Sequence, residues 1–336
     1  MFLERSGRRV HFRDLNKMPT LKLGNTGARP GPEQNACFVN SVLQLLNCVP
    51  FFREFFRNKE YEKSVAGHCQ TKLPICNELS NIFKSHGAPT SAGYLRTLIG
   101  SMSNEFEYIK NGNQQDATQF LQDLLNTVES ELNANINFDE AQNWKNIYEG
   151  KEIIQYNFSG NNSVNGACPT CHMPPGYAEK EFNIFVITNL YPEDYSLQQM
   201  INQNLLTPSL TLQKYCSNDD NCPDANLRVF RPATSTRIIS KFPNVIFIQV
   251  PKFGRRGYSI DVNKHNGFIT IQDQVQFEIV GVLDHEGSSS KNGHWLTWAK
   301  LDYGWYRCND MNIAEAVQQS TFSSNNYLFV CLLLHS

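Results

Sequence analysis

The sequence predicts an α+β fold in which helices come first and strands follow. Apolar residues recur at helical spacing from about residue 37 to residue 145. From residue 236 to the end, segments rich in β-branched and aromatic residues alternate with Gly and charged turns. Strands separated by such turns are typical of an antiparallel sheet packed against helices.

Length and composition exclude several classes of protein. The chain has 336 residues, of which 40% are apolar and 18% charged, and its formal net charge is −2. These values are typical of a globular protein with one large or two modest units, and they give no basic surface for nucleic acid. No apolar run is long enough to predict a membrane span, and the polar stretch 1–20 lacks the apolar centre of a secretory signal. We therefore expect no nucleic-acid or membrane partner.

The helical part opens with a cysteine. Cys37 begins a pattern of apolar residues at 3.6-residue spacing, which Asn35 is expected to cap and which Pro50 is expected to follow. A thiol in the first turn of a helix feels the positive end of the helix dipole, which favours the reactive thiolate. A cysteine is equally suited to be a small buried apolar residue. The helix alone therefore leaves both interpretations open.

Further helices are predicted at 50–61 and 73–84, and the strongest helical pattern spans 116–132. Asp116, followed three residues later by Gln119, resembles a capping box at the start of that last helix. The polar segment 111–115 before it reads as a turn. Strands are predicted at 153–158, 182–187, 245–250, 268–271, 277–283, 295–299 and 327–332.

Two pairs of cysteines predict a structural zinc site. The chain has ten cysteines, which we expect to be reduced thiols of a cytoplasmic or nuclear protein because no secretory signal is predicted. A CxxC knuckle and a second close pair are the ligand set of a tetrahedral Zn²⁺ ion: Cys168, Cys171, Cys216 and Cys222. The second pair is spaced more widely than usual, so unrelated thiols are the alternative, and His172 is a substitute ligand.

A histidine near the C-terminus is the candidate partner of Cys37. A thiolate nucleophile needs an imidazole within hydrogen-bond reach and a polar group that orients the ring. His294 lies at the start of a predicted strand, and Asn309 and Asp310 occupy the turn after the next one. Either of these two could orient the ring. His285 is a rival base.

Taken together and in order, these segments resemble the motifs of the ubiquitin-specific proteases. The similar stretches are the cysteine box at 37–44, the Gln-Gln-Asp-Ala helix start at 114–117, the fingers zinc site at 168–171 and 215–216, a strand motif at 243–248 with 252–253, and the histidine box at 285–287, 293–295 and 305–310. They spread across nearly the whole chain.

The resemblance implies a papain-like fold. It consists of a helical thumb (about 21–148), zinc-clipped fingers (about 149–235) and an antiparallel-sheet palm (about 236–336), after the lead-in 1–20. It also implies a thiol-dependent deubiquitinase that hydrolyses the peptide or isopeptide bond after the C-terminal glycine of ubiquitin. Ubiquitin or ubiquitinated proteins would be its partners, structural Zn²⁺ its only cofactor, and the cytoplasm or nucleus its location.

Carried over residue by residue, the resemblance makes Cys37 the nucleophile, His294 the general base and then acid, and Asn309 the orienting residue. Asp310 would be a polar neighbour that shares the last role. Asp116 would face the arginine-containing tail of ubiquitin, where a charge-assisted contact forms.

The stretch before the nucleophile departs from the family pattern. The family usually has Asn-x-Gly-Asn-Thr there, and its first Asn donates to the oxyanion, whereas this chain has Pro32 at that position, which offers no donor. Gln34, Asn35 or backbone amides are the substitutes we expect. An earlier copy of the pattern at 23–27 has Gly27 where the cysteine would be, and we interpret it as a coincidence or a displaced insert.

Two alternatives to a deubiquitinase therefore stay open. One is a ubiquitin-binding scaffold of the same fold with weak or no activity, which the missing oxyanion donor would favour. The other is a protease for a different ubiquitin-like modifier.

Overall fold

The structure of the chain is a computed structural model. It describes residues 21–25, 31, 33–64, 73–85, 87–134, 158–165, 180–187, 196–206, 209–214, 222, 231–250, 267–289, 292–301, 304–314 and 326–334. Several predictions fall outside these residues, namely the lead-in 1–20, Pro32, most of the strand at 153–158, and the zinc ligands Cys168, Cys171 and Cys216.

Helices dominate the first part of the chain, as the sequence predicts. They are α1 (Cys37–Asn47), α2 (Pro50–Arg57), α3 (Pro74–Lys84), α4 (Gly93–Met102), α5 (Glu107–Lys110) and α6 (Ala117–Ala134), with α7 (Leu197–Leu206) later among the strands. Short 3₁₀ helices at Glu60–Ser64 and Asn104–Phe106 connect some of them. Pro50 does follow the end of α1, since it forms the first turn of α2.

The strands follow in chain order. They are β1 (Lys22–Leu23), β2 (Pro89–Thr90), β3 (Gly160–Asn165), β4 (Lys180–Phe182), β5 (Ile184–Val186), β6 (Ser209–Lys214), β7 (Arg231–Lys241), β8 (Val245–Gln249), β9 (Phe268–Ile271), β10 (Val275–Ser289), β11 (Asn292–Leu301), β12 (Gly304–Asn309), β13 (Asn312–Ala314) and β14 (Asn326–Leu333).

Most of these strands form one large sheet, in the order β13-β12-β11-β10-β14-β8-β5, with β9 paired to β10. Neighbours are antiparallel except β5 and β8, which are parallel, so the sheet is mixed where the sequence predicted an antiparallel one. The order β4-β3-β7-β6 forms a second sheet, and β1 pairs with β2 in parallel. The α+β fold class is confirmed.

The large sheet is buried on both faces. Successive residues of a strand point to opposite sides, and in β8 both sets are buried. In β8, Val245 and Phe247 pack with the helices α1 to α6, whereas Ile246 and Ile248 pack with α7. The sheet is therefore a rigid framework, and its strands β11 and β12 position the predicted histidine and its partners.

Helix α1 lies at the centre of the fold, and all eleven of its residues are buried. One side packs on the sheet, where the Thr297 hydroxyl donates to the carbonyl oxygen of Ser41 (2.7 Å). The other side packs on α6, where the rings of Phe38 and Phe120 meet edge to face with centroids 5.5 Å apart. The amphipathic pattern of this helix therefore does not correspond to a solvent-exposed face.

The polar residues of α1 are buried because another segment of backbone covers them. Gln44 exchanges hydrogen bonds with the backbone of Leu21, and the Asn40 amide donates to the carbonyl oxygen of Gly24 (3.0 Å). Residues 21–25 are thus fixed along α1, although they precede their contacts on this helix by 16 to 23 residues in the sequence.

Candidate active site

Cys37 is the first residue of α1, and its side chain is buried in the site. The residue that caps the helix is Ala36, whose side chain makes no capping hydrogen bond. The predicted cap by Asn35 is therefore wrong. Asn35 has a φ of +49°, and its side chain turns away to donate to the carbonyl oxygen of Gly112 (2.9 Å).

His294, on β11, lies within hydrogen-bond distance of the Cys37 thiol. The Nε2 atom of its ring is 2.7 Å from Oδ1 of Asn309 at the end of β12. Because Nε2 is engaged by Asn309, Nδ1 is the ring nitrogen left for the thiol. The hydrogen bond to Cys37 is the main reason that the pKa of His294 rises from 6.5 to about 9, with a further contribution from Asn309, while burial opposes the rise.

Asp310 is held away from the imidazole. Its Oδ2 is 3.9 Å from Nε2 of His294, beyond hydrogen-bond distance. Its two carboxylate oxygens instead accept from the amides of Asn25 (2.9 Å) and Asn40 (2.7 Å). A φ of +52° in the turn after β12 aims the side chain in this direction, and Asp tolerates that conformation. Of the two candidates for the orienting residue, Asn309 is therefore the one that contacts His294.

His285, the rival base, lies in the interior of the sheet and not at Cys37. It is fully buried, and its ring centroid is 4.3 Å from that of Trp295. Gly287 and Gly293 pack against this ring, since a Cβ atom at either would lie within 2.8 Å of its Cε1 atom. His285 thus supports the strand that carries His294.

The start of α6 is fixed to the histidine strand. The side-chain oxygen of Gln114 accepts from the amide of Gly293 (2.6 Å), and the carbonyl oxygen of Gln115 accepts from the Trp295 indole (2.9 Å). These two bonds flank His294 on β11. The residue next in sequence, Asp116, is therefore held close to the candidate catalytic group.

Asp116 caps α6 and lines a cleft. Its Oδ1 accepts from the amides of Thr118 (2.8 Å) and Gln119 (3.3 Å). The other half of the predicted capping box is absent, because the Gln119 side chain donates to Asp123 instead. The cleft has a volume of about 700 Å³ and lies between α6 and the edge formed by β5 and β8; it is lined by Tyr108, Gln115, Asp116, Thr118, Gln119, Gln122, Ile184, Val186 and Gln249.

Of the predicted zinc ligands, the structure describes Cys222, which is buried. Among the residues that the structure covers, no group of three or more His, Cys, Asp or Glu side chains is arranged to hold a metal ion. Because the other three cysteines lie outside those residues, the zinc site stays a prediction. No helix within the described ranges is long and apolar enough to cross a membrane.

Comparison with protein families decides the class of this chain. The family described as "Ubiquitin carboxyl-terminal hydrolase" matches residues 32–330. The chain belongs to this family. The predicted resemblance is thereby confirmed, and with it the class of cysteine hydrolases to which the family belongs.

Individual members of the family are distant relatives. Ubiquitin carboxyl-terminal hydrolase 25 of Arabidopsis thaliana is 23% identical over 92% of this chain and 47% of its own length. Probable ubiquitin carboxyl-terminal hydrolase 16 of Schizosaccharomyces pombe is 21% identical over 88% of this chain and 64% of its own length. The chain thus spans about half to two thirds of these two relatives.

Solved structures of low sequence identity share the fold. A chain of the SAGA DUB module Ubp8/Sgf11/Sus1/Sgf73 bound to monoubiquitin superposes with a TM-score of 0.70, at 16% identity, over 94% of this chain and 69% of that chain. The same module bound to ubiquitin aldehyde gives a TM-score of 0.68 at 15% identity, over 94% and 70%. The ubiquitin-specific protease fold is therefore confirmed, whereas the zinc-clipped fingers are not shown.

Against the family pattern, Asn25 is the residue that sequence reasoning missed. Its side-chain oxygen accepts from the amide of Ala36 (3.3 Å), directly before Cys37, and its amide nitrogen donates to Asp310. The sequence at 25–27 repeats the family's Asn-x-Gly spelling, with residues 28–34 between it and Asn35. This spelling was the signal that could have drawn attention to Asn25.

Gln34 and Asn35, the two residues predicted to replace the oxyanion donor, have their side chains near Gly112. Asn35 bonds to its carbonyl oxygen, as described above. A Cβ atom on Gly112, which has a φ of +78°, would lie 2.5 Å from Oε1 of Gln34. Both side chains therefore contact the turn before α6.

Proposed function

We propose that this chain is a thiol-dependent deubiquitinase, which hydrolyses the peptide or isopeptide bond after the C-terminal glycine of ubiquitin through Cys37, His294 and Asn309. The observation that carries the proposal is that His294 interacts with both of the other side chains. The Cys37 thiol is the largest influence on the pKa of His294, and Nε2 of the ring is 2.7 Å from Oδ1 of Asn309. Such a chain of nucleophile, base and orienting group is the arrangement that activates a thiol for acyl transfer.

The reaction follows from this geometry. The Cys37 thiolate attacks the carbonyl carbon of the terminal glycine, and the protonated His294 gives its proton to the departing amine. The acyl group is then bound to sulfur as a thioester. Water attacks this thioester while His294 accepts the water proton, and ubiquitin leaves with a free carboxylate. Asn309 keeps the imidazole in the tautomer that both proton transfers require.

We assign oxyanion stabilisation to Asn25 together with the backbone amide of Cys37. An amide side chain carries two N–H donors. One donor goes to Asp310, and the bond from Ala36 to the side-chain oxygen fixes which way the amide faces. Asp310 thereby positions Asn25 and not His294. This assignment supplies the donor that Pro32 cannot give, and so it favours an active enzyme over the scaffold alternative.

The cleft at Asp116 is the proposed site for the tail of ubiquitin. It is fixed next to His294 by Gln114 and Gln115, and it is large enough for several residues of extended peptide. The Tyr327 hydroxyl donates to Oδ2 of Asp116 over 3.3 Å, which is long for a hydrogen bond between oxygens. An arginine of the tail can therefore compete for this carboxylate oxygen. The two solved relatives described above are bound to monoubiquitin and to ubiquitin aldehyde, and this supports ubiquitin as the partner.

The proposal is tested with a ubiquitin probe that carries an electrophile at its C-terminus. The wild-type protein should form a covalent adduct, and Cys37→Ala should not. Cys48→Ala is the matched control, because Cys48 is a buried thiol at the other end of α1, and this variant should be labelled like the wild type.

Three outcomes would contradict the proposal. Labelling that persists in Cys37→Ala would remove the nucleophile assignment. Absent labelling with measurable ubiquitin binding would select the scaffold, and labelling only by probes built on other modifiers would select the alternative protease.

A further inference from the structure

Arg96 is a buried cation that has no acidic partner among the described residues. It lies on α4 with 3% of its surface exposed. Within the described part of the chain, no carboxylate lies within ion-pair distance of it, whereas the equally buried Arg53 pairs with Glu54. A guanidinium removed from water is costly unless its environment compensates it. An apolar residue would fill the same space without this desolvation penalty. The buried charge therefore indicates a specific function for Arg96.

Three backbone carbonyl oxygens take the place of an acid. Arg96 donates from Nη1 to Gln34, from Nε to Ile109 and from Nη2 to Asn113 (3.4 Å). These acceptors belong to separate segments, namely the stretch before the nucleophile, the end of α5 and the turn before α6. The planar fork of arginine can hold all three at once, which a lysine ammonium on a flexible stem cannot do in the same geometry.

The segments joined by Arg96 carry both partners of the proposed catalytic pair. Gln34 lies three residues before Cys37. Asn113 adjoins Gln114, whose side chain bonds to the amide of Gly293 next to His294. The guanidinium thus connects the nucleophile side of the site to the histidine side.

The charge of Arg96 is also close to the nucleophile. Its guanidinium carbon is 5.2 Å from the ring centroid of Phe38, the residue after Cys37, and it interacts electrostatically with Cys37. Burial lowers the pKa of Arg96 below its ordinary value, but arginine stays protonated in proteins.

We infer that Arg96 is a positioning residue of the active site, which clamps the segment before Cys37 to the turn before α6. The inference rests on the proposed function, because it concerns the same site. Lysine keeps the charge of Arg96 and loses its planar fork, so Arg96→Lys tests the clamp.

The clamp is tested by amide hydrogen exchange in Arg96→Lys. This readout needs no ubiquitin, so it stays valid even if the chain hydrolyses no ubiquitin conjugate.

The matched control is Arg53→Lys. Arg53 is buried to the same degree but donates to the carbonyl oxygen of Asn47 at the far end of α1, which is about 15 Å from Cys37 along the helix axis. Amide exchange at 34–37 and 111–114 should equal that of the wild type in this variant. An equal acceleration in both lysine variants would overturn the clamp.

In Arg96→Lys, the two clamped segments should be released from each other. Amide hydrogen exchange should become faster at 34–37 and 111–114, and kcat for a fluorogenic ubiquitin substrate should fall with little change in KM. Unchanged exchange in both segments would overturn the clamp whatever the activity of the enzyme.

Discussion

Asn25→Ala should lower kcat for a fluorogenic ubiquitin substrate by about 10²–10³, because removing one oxyanion donor costs about 2.7–4 kcal/mol of transition-state stabilisation. KM should change little, since the negative charge on the carbonyl oxygen develops only in the transition state. The fold should survive the change. Asn25 bonds to Asp310 at 2.9 Å and accepts from Ala36 at 3.3 Å, and each of these hydrogen bonds contributes about 0.5–1.5 kcal/mol to stability.

The assay separates the two effects. Urea denaturation gives the free energy of unfolding, and initial rates across substrate concentrations give kcat and KM. Asn35→Ala is the control, because the Asn35 side chain likewise holds a neighbouring segment, by donating to the carbonyl oxygen of Gly112. It should lose a similar amount of stability and far less of its kcat. A loss of kcat in Asn35→Ala equal to that in Asn25→Ala, or a wild-type kcat in Asn25→Ala, would refute the assignment of Asn25 to the oxyanion.

Three further predictions concern other parts of the molecule. The pKa of His294 is raised from 6.5 to about 9, so protonation of this ring stabilises the fold fully below pH 6.5, and the contribution should be lost as the pH rises to 9. It amounts to about 2 kcal/mol after discounting for the partly exposed ring. Urea denaturation at pH 6.5 and 9.5 measures it, and Cys37→Ala, which removes the main cause, should show a smaller loss; equal losses would contradict this. Glu131→Gln should destabilise the protein by about 1–3 kcal/mol, because the buried Glu131 carboxylate accepts from the amides of Ile75 and Cys76 at the start of α3; an unchanged urea midpoint would argue against it. Metal analysis of the purified protein should give one zinc per chain, and Cys171→Ser should release it; a metal-free wild type would refute the zinc site.

Much of the site could be predicted from the sequence because its signals are local. Cys37 stands at a helix start, and His294 and Asn309 stand at the ends of strands with short turns between them. Antiparallel neighbours in chain order, such as β11 and β12, bring such residues together without further information. The structure places these three side chains in contact, as the sequence led us to expect.

What the sequence could not reveal depends on contacts between distant segments. The polar side chains of Asn40 and Gln44 on α1 are buried under residues 21–24, whose backbone carbonyl oxygens accept from their amide nitrogens. Arg96 had no motif to mark it, since its three acceptors come from segments up to 62 residues away. The spacing of apolar residues predicts local secondary structure, and it cannot predict a hydrogen bond from a side chain to a distant backbone segment.

The position of Asn25 has a consequence for how this active site tolerates change. Residues 21–25 are held by β2, by α1 and by the backbone of Asp310, so the donor reaches the nucleophile without depending on the length of chain between them. Closing a longer connection is cheap, at about 0.6 kcal/mol for each doubling. The stretch 26–30 is therefore a natural place for insertions, and a reporter peptide added there should leave both ends in register. Distance in space, and not spacing in sequence, defines the motif in this chain.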